Sequence, residues 1–207
     1  MGRYVSSLNE IGLADLAQVG GKGAHLGEMV RAGFCVPPGF SVKSEGYDRF
    51  FDAADLKKPI EEIAANIDFR DLKDVEQKTA RIRRIISTAQ IPEDVKAEIR
   101  EAYEALREGE DGIPLVAVRS SVGTRDLSRS SFPGQMDTFH NVRGIEEVLA
   151  KIRECWASVW SARAASTMHS LKIDPNKIII APVVQTMVPS EISGVLFTAN
   201  PIDGNPG

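Results

Sequence analysis

Cysteine is scarce in this chain of 207 residues: only Cys35 and Cys155 occur, far apart and without CxxC spacing. That leaves no disulfide framework, and fits two reduced thiols buried as small hydrophobes in a cytosolic protein. No apolar run approaches membrane-spanning length, and the first residues, MGRYVSSLNEIG, contain no apolar h-region of a leader. A cytoplasmic protein without a membrane contact is therefore the expectation. Massed positive charge is missing too. The net charge is -4 and the basic residues are dispersed, which argues against a nucleic-acid surface. Internal repeats and low-complexity tracts are also absent.

What remains is ordinary in bulk. Apolar residues make up 43% and charged residues 26%, the balance of a globular domain with one well-filled core and room for a helical insertion. Residues 3–8 suggest a short strand. Gly20-Gly21-Lys22 then opens a helical pattern through Ala24, Leu26, Met29 and Val30 that ends at Gly33. A turn at Val36-Pro37-Pro38-Gly39 leads into a second strand at 40–42. Residues 44–109 are largely helical, with apolar faces around Tyr47, Phe50 and Phe51 and along 75–89. A further helix starts at Ile91-Pro92-Glu93-Asp94, with proline and acids in its first turn. A strand at 115–118 follows. Residues 145–171 form one long amphipathic helix with Val148, Leu149, Ile152, Trp156, Val159 and Trp160 on one stripe. The end reads as strand, turn, strand: 177–188, then Pro189-Ser190-Glu191, then 192–198. Strands flanking a block of helices predict an α+β fold.

Four segments carry chemistry. The first is Val19-Gly20-Gly21-Lys22-Gly23, where glycine lets backbone N–H groups approach an anion and Lys22 supplies a point charge. A plain turn with a solvated lysine is the other meaning. The second is Arg119, at the end of a strand and followed by Ser120 and Ser121; it is either an anion ligand or a structural ion-pair partner. The third lies in 116–138, VAVRSSVGTRDLSRSSFPGQMDT. This run has five serines and few hydrophobics after Val118, and reads as a mobile loop of hydroxyls, amides and arginine suited to a polyphosphate. In it Gly134 exposes backbone N–H groups and Thr138 adds a hydroxyl, unless Pro133-Gly134 merely turns the chain into a strand at 138–142. The fourth is the apolar strand Val183-Val184-Gln185-Thr186-Met187-Val188. Its edge can bond a purine with Met187 against the ring face, or Met187 is core.

In this order and spacing, VGGKGAHLGEM, AVRSS, SFPGQMDT and VVQTMVPSEISGVLFTANP resemble the nucleotide-binding module of the phosphoenolpyruvate synthase and pyruvate phosphate dikinase family. The resemblance covers essentially the whole chain and is loosest over 55–110. Rifampicin phosphotransferases and the ATP-binding subunit of phenylphosphate synthase look like members of the same family. The resemblance implies an ATP-grasp fold, of which residues 1–207 would be the N-terminal lobe: a mixed or antiparallel sheet with a helical insertion at about 44–110. It implies ATP and Mg2+ as cofactors. It also implies transfer of the β-phosphoryl group of ATP to a histidine on another domain, in the same chain or on a partner, and then to an acceptor such as pyruvate. Lys22 and Arg119 would contact the phosphates, Gly134 and Thr138 would come from the loop that closes over them, and Gln185 from the strand lining the adenine site.

The resemblance places the metal-binding carboxylate and glutamine, in a QDIEW-like motif, and the phosphorylated histidine, in a TxGGxxxH-like motif, beyond Gly207. His25, His140 and His169 lie in no such context, so no catalytic or metal-binding residue is assigned here. Family members of the synthase type carry SSATAEDLPxASFAGQ. This sequence instead has Ser120-Ser121-Val122-Gly123-Thr124-Arg125-Asp126-Leu127 with Arg129 beyond, and ends in a PGQMDT close to the PGMMDT of the dikinases. The acceptor is left open by that hybrid. Alternatives are a separate ATP-binding subunit, as in phenylphosphate synthase, and a non-catalytic nucleotide-binding relative.

Overall fold

A computed structural model describes residues 2–107, 112–124, 137–197, 199, 200, 202 and 204. A five-stranded sheet runs in the order β1 (Val5–Ser7), β2 (Gly39–Val42), β7 (Val183–Thr186), β3 (Leu115–Arg119), β5 (Thr138–Arg143), and every pairing is antiparallel. Two further strands, β4 (Val122–Thr124) and β6 (Ile178–Ile180), pair with each other.

The two sheets share one ladder. Val116 faces Thr186, Arg119 faces Val183, Val122 faces Ile180 and Thr124 faces Ile178, so β3–β4 and β6–β7 keep a single register across the gap. The gap is Ser120-Ser121 on one side and Ala181-Pro182 on the other. It is bridged by Ala181 N–H donating to the Ser121 carbonyl at 2.8 Å. Pro182 has no N–H to give, and its carbonyl accepts from Val42 at 2.9 Å where β2 stops.

Helices cover both faces of the five-stranded sheet. Strand alternation sends Val116, Val118 and Val184 into the main core. There they meet α2 (Ser44–Ala53), α3 (Lys57–Ala64), α4 (Leu72–Thr88), α5 (Glu93–Glu104), α6 (Ile145–Ala157) and α7 (Ala162–Leu171). Trp156 is fully buried and stacks on Phe50 with ring centroids 4.7 Å apart. Ile82 and Ile86 of α4 pack toward α6 and α7. The opposite side chains, Val183 among them, face α1 (Leu16–Arg31) in a small cluster with Leu8, Ile11, Val19 and Ala24. The edge strand β1 is tied to α5 by Glu98, whose carboxylate accepts the N–H groups of Arg3, Tyr4 and Val5 at 3.1, 2.8 and 3.0 Å.

The α+β expectation matches the structure: of the mixed or antiparallel sheet expected, the antiparallel form is found, and the helical stretch expected at about 44–110 holds α2–α5, which end at Glu104. Several local expectations do not. The single helix over 145–171 is α6, a 3-10 turn (Ser158–Trp160) and α7. Ser161 is extended (φ -63°, ψ 147°), and its hydroxyl caps α7 by accepting from Ala164 N–H at 3.2 Å. The strand over 177–188 is two strands in one register. The strand expected over 192–198 does not form among its described residues, 192–197: 193–197 have no regular structure, and Ile192, Val195, Leu196 and Phe197 are exposed. A strand needs a neighbouring edge for its N–H and C=O groups, and among the described residues that segment has none. Part of the expected loop is strand β4. Cys155 is buried as expected, but Cys35 is exposed; both are free thiols. No helix among the described residues is long and apolar enough to cross a membrane.

Ile82→Ala, at a site with no exposure, should cost about 2–5 kcal/mol and lower the urea midpoint in a single transition. A loss below about 0.5 kcal/mol, the range of surface changes, would show that α4 is not part of one core with the sheet.

Candidate functional site

Four of the five sequence-derived residues belong to one region, on the α1 face of the sheet where β3 ends. Arg119 is the last residue of β3, and alternation turns it to that face, away from Val118. Its Nη1 donates to Gln185 Oε1 at 3.2 Å, and Gln185 Nε2 donates to the Pro37 carbonyl at 3.1 Å. Gln185 is 7% exposed with both ends of its amide engaged, so in this state it orients Arg119. Lys22 Nζ donates to the Ser120 carbonyl at 2.8 Å, which brings the ammonium to the same strand end. Thr138 pairs with Arg119 across β3–β5 and is exposed. Gly134, with Arg125, Arg129 and Met136, lies outside the described residues.

Two cations so placed strain each other. Burial, and then the neighbouring charge of Arg119, push the Lys22 ammonium below its ordinary value of 10.5. Among the described residues, the ion pairs are formed by other side chains, such as Arg49–Asp94 and Lys78–Asp74, and none involves Lys22 or Arg119. The unfolded chain holds the Lys22 proton more tightly than the folded one. Stability from this group therefore rises with pH between its lowered folded value and 10.5. An anion between the cations would relieve both penalties.

The region also contains residues that pattern reading passed over. Ser120 N–H and Oγ both donate to the Asp137 carbonyl, at 3.2 and 3.0 Å, tying the end of β3 to the start of β5. Ser121 Oγ accepts from Gly23 N–H at 3.1 Å and donates to the Val19 carbonyl at 2.7 Å. Behind them burial pushes the Cys155 thiol up to about 12, so it stays protonated and is no nucleophile at neutral pH. The signal for these serines was present in Arg119-Ser120-Ser121, but a serine pair after a strand gives no hint of which distant backbone it will bond.

The three histidines are dispersed and exposed: His25 on α1, His140 on β5, and His169 at the end of α7, stacked on Phe69 at 3.9 Å. Met187 is half-buried just past β7, its N–H donating to the Leu115 carbonyl at 2.8 Å. No group of three or more His, Cys, Asp or Glu side chains among the described residues is placed to hold a metal ion.

The site thus consists of a lysine and an arginine brought together beside a glycine turn on an antiparallel α+β scaffold. The chain matches, over residues 16–207, the family described as pyruvate phosphate dikinase, AMP/ATP-binding domain, and it belongs to that family. It is 44% identical over 206 residues to the probable phosphoenolpyruvate synthase of Methanothermobacter thermautotrophicus, covering 99% of this chain and 30% of that protein. Identity to the phosphoenolpyruvate synthase of Pyrococcus furiosus is 36% over 237 residues, 98% of this chain and 29% of that one. Identity to the rifampicin phosphotransferase of a Streptomyces species is 38% over 205 residues, 99% and 23%. The chain thus spans roughly a quarter to a third of these relatives' length.

The glycine turn itself can be tested by a pair of variants. At Gly20 φ is +66° and an added Cβ would stand 2.9 Å from Ser121 backbone atoms; at Gly33 φ is +82° with open space around it. Gly33→Ala should cost about 1–2 kcal/mol for the left-handed conformation alone. Gly20→Ala should cost about 1–3 kcal/mol more, for the clash and for dihedrals (φ 66°, ψ 175°) that only glycine adopts readily. Equal losses in thermal unfolding would contradict both the glycine-only conformation at Gly20 and its packing against Ser121.

Proposed function

We propose that this chain is the ATP-binding part of a dikinase-type phosphotransferase of the phosphoenolpyruvate synthase kind. The observation that carries the reading is the convergence of Lys22 and Arg119, two cations with no acid partner among the described residues, at one strand end in an AMP/ATP-binding family. In this reading the 207 residues are the N-terminal lobe of an ATP-grasp domain. The second lobe, the metal ligands and a phosphohistidine domain are supplied by other segments or a partner chain. ATP passes its β-phosphoryl group to that histidine while water or inorganic phosphate takes the γ-phosphoryl group, leaving AMP and phosphate or pyrophosphate, and the histidine passes its phosphoryl group to an acceptor such as pyruvate. A cytoplasmic location belongs to the same proposal.

Phosphoryl transfer asks a protein mainly for positioning and for neutralising charge. Lys22 and Arg119 hold the phosphates, Arg119 being kept in place by Gln185, which also borders the adenine side. Gly134, from the segment before β5, and Thr138, the first residue of β5, close the site. The Mg2+ that accompanies ATP would take its protein ligands from outside the described residues and would neutralise charge on the phosphates.

Titration calorimetry tests the half-site. The 207 residues alone should bind Mg-ATP more weakly than about 0.1 mM and turn none over; tight binding or turnover contradicts the reading. In a polypeptide that also carries the histidine domain, Arg119→Ala should slow transfer about 100- to 1000-fold with little change in melting temperature. Unchanged activity with a lowered melting temperature would make Arg119 structural.

A further inference from the structure

The helix that carries Lys22 takes its cap from a distant part of the chain. α1 is two helical runs joined across Gly20, whose dihedrals (φ 66°, ψ 175°) lie outside the helical region. Gly21 therefore starts a new run, and the first N–H groups of any helix need acceptors from elsewhere. The local sequence has none to offer, since the side chains of Val19, Gly20 and Gly21 carry no oxygen. The acceptor is Ser121. Its hydroxyl takes the N–H of Gly23, 98 residues away, and gives its own proton to the Val19 carbonyl, so that one group bonds both sides of the Gly20 break. Gly23 is the third residue of the new run, a position that a capping side chain ordinarily serves. Ser121 is 1% exposed, so no water competes for these bonds.

The same dipeptide meets the end of the Lys22 side chain, because Ser120 supplies the carbonyl that receives its Nζ. We propose that Ser121 is a positioning residue: by capping the Lys22 helix onto the β3–β4 junction, it sets where the ammonium stands relative to Arg119. This inference rests on the nucleotide reading of Lys22 and Arg119 given above. A lysine ammonium is a point charge on a flexible four-carbon stem, so its placement depends on where its Cα is held. Repulsion from Arg119 favours its escape to water as soon as the turn loosens. A displacement of about 1 Å in a phosphate-binding group is enough to cost roughly 100-fold in rate.

Amide hydrogen exchange and an ATP titration followed by NMR test this on the 207-residue chain. Ser121→Ala should raise Gly23 exchange at least about tenfold more than that of the β3 amides, and weaken ATP binding about tenfold, as loss of one capping bond implies. Ile82→Ala is the control for lost stability alone; it should speed exchange across the core and leave ATP affinity as in the wild type. Where Ser121→Ala does not fold, Ser121→Cys keeps the shape with a weaker hydrogen-bonding group and should change both readings in the same direction. Wild-type exchange at Gly23, or wild-type ATP affinity in the folded variant, overturns the proposal. If Lys22 and Gly23 resonances of the wild type ignore ATP, the nucleotide reading fails and the positioning role falls with it. Faster Gly23 exchange in the variant would then mark a purely structural cap.

Discussion

Two positive side chains brought to one strand end, with no acid between them among the described residues, set the terms for everything around them. Left to itself a lysine beside an arginine swings out into water. Here each is held by a neutral partner: Lys22 by the Ser120 carbonyl, Arg119 by the Gln185 amide, and Gln185 in turn by the Pro37 carbonyl. Neutral partners restrain position without cancelling charge. The two positive charges are therefore kept side by side, at the expense of some stability.

The backbone makes this arrangement through one device, the interrupted ladder. β3–β4 and β6–β7 stay in register across Ser120-Ser121 and Ala181-Pro182, so the break does not scramble the strands; it frees polar groups at one chosen point. Those groups reach outward in three directions: Ser120 to Asp137 at the head of β5, Ser120 again to Lys22, and Ser121 to both sides of the Gly20 break. The broad core of α2–α7 on the other face supplies the rigidity against which such a small cluster can be held. Membership of an AMP/ATP-binding family fits a scaffold in which main-chain geometry positions charge.

How much of this was legible depended on whether the signal was local. The position of Arg119 at the end of an apolar strand, and the glycines before Lys22, are local features, so both could be named from residues alone. The block of helices was legible from its 3.6-residue periodicity. The break at Ser161 was not, because an apolar stripe runs through it and a single serine cap does not interrupt that stripe. The apolar run 192–197 has the composition of a strand, yet strand formation requires a partner edge, which composition does not encode. Ser121 was hidden for a similar reason. Its two bonds reach across about half the chain, and nothing in the neighbourhood of residue 121 points to Val19 or Gly23.

The claim at the centre is that Lys22 and Arg119 share one polyphosphate. Titrating the Lys22 side chain by carbon-13 NMR, with and without saturating ATP, addresses it directly. Without nucleotide the ammonium should lose its proton below the ordinary value of 10.5, driven by burial and by Arg119. With ATP bound, phosphate oxygens beside the ammonium should carry that value up by about one pH unit or more. The same titration curve in both states, with ATP demonstrably bound, would place the phosphates elsewhere and contradict the account.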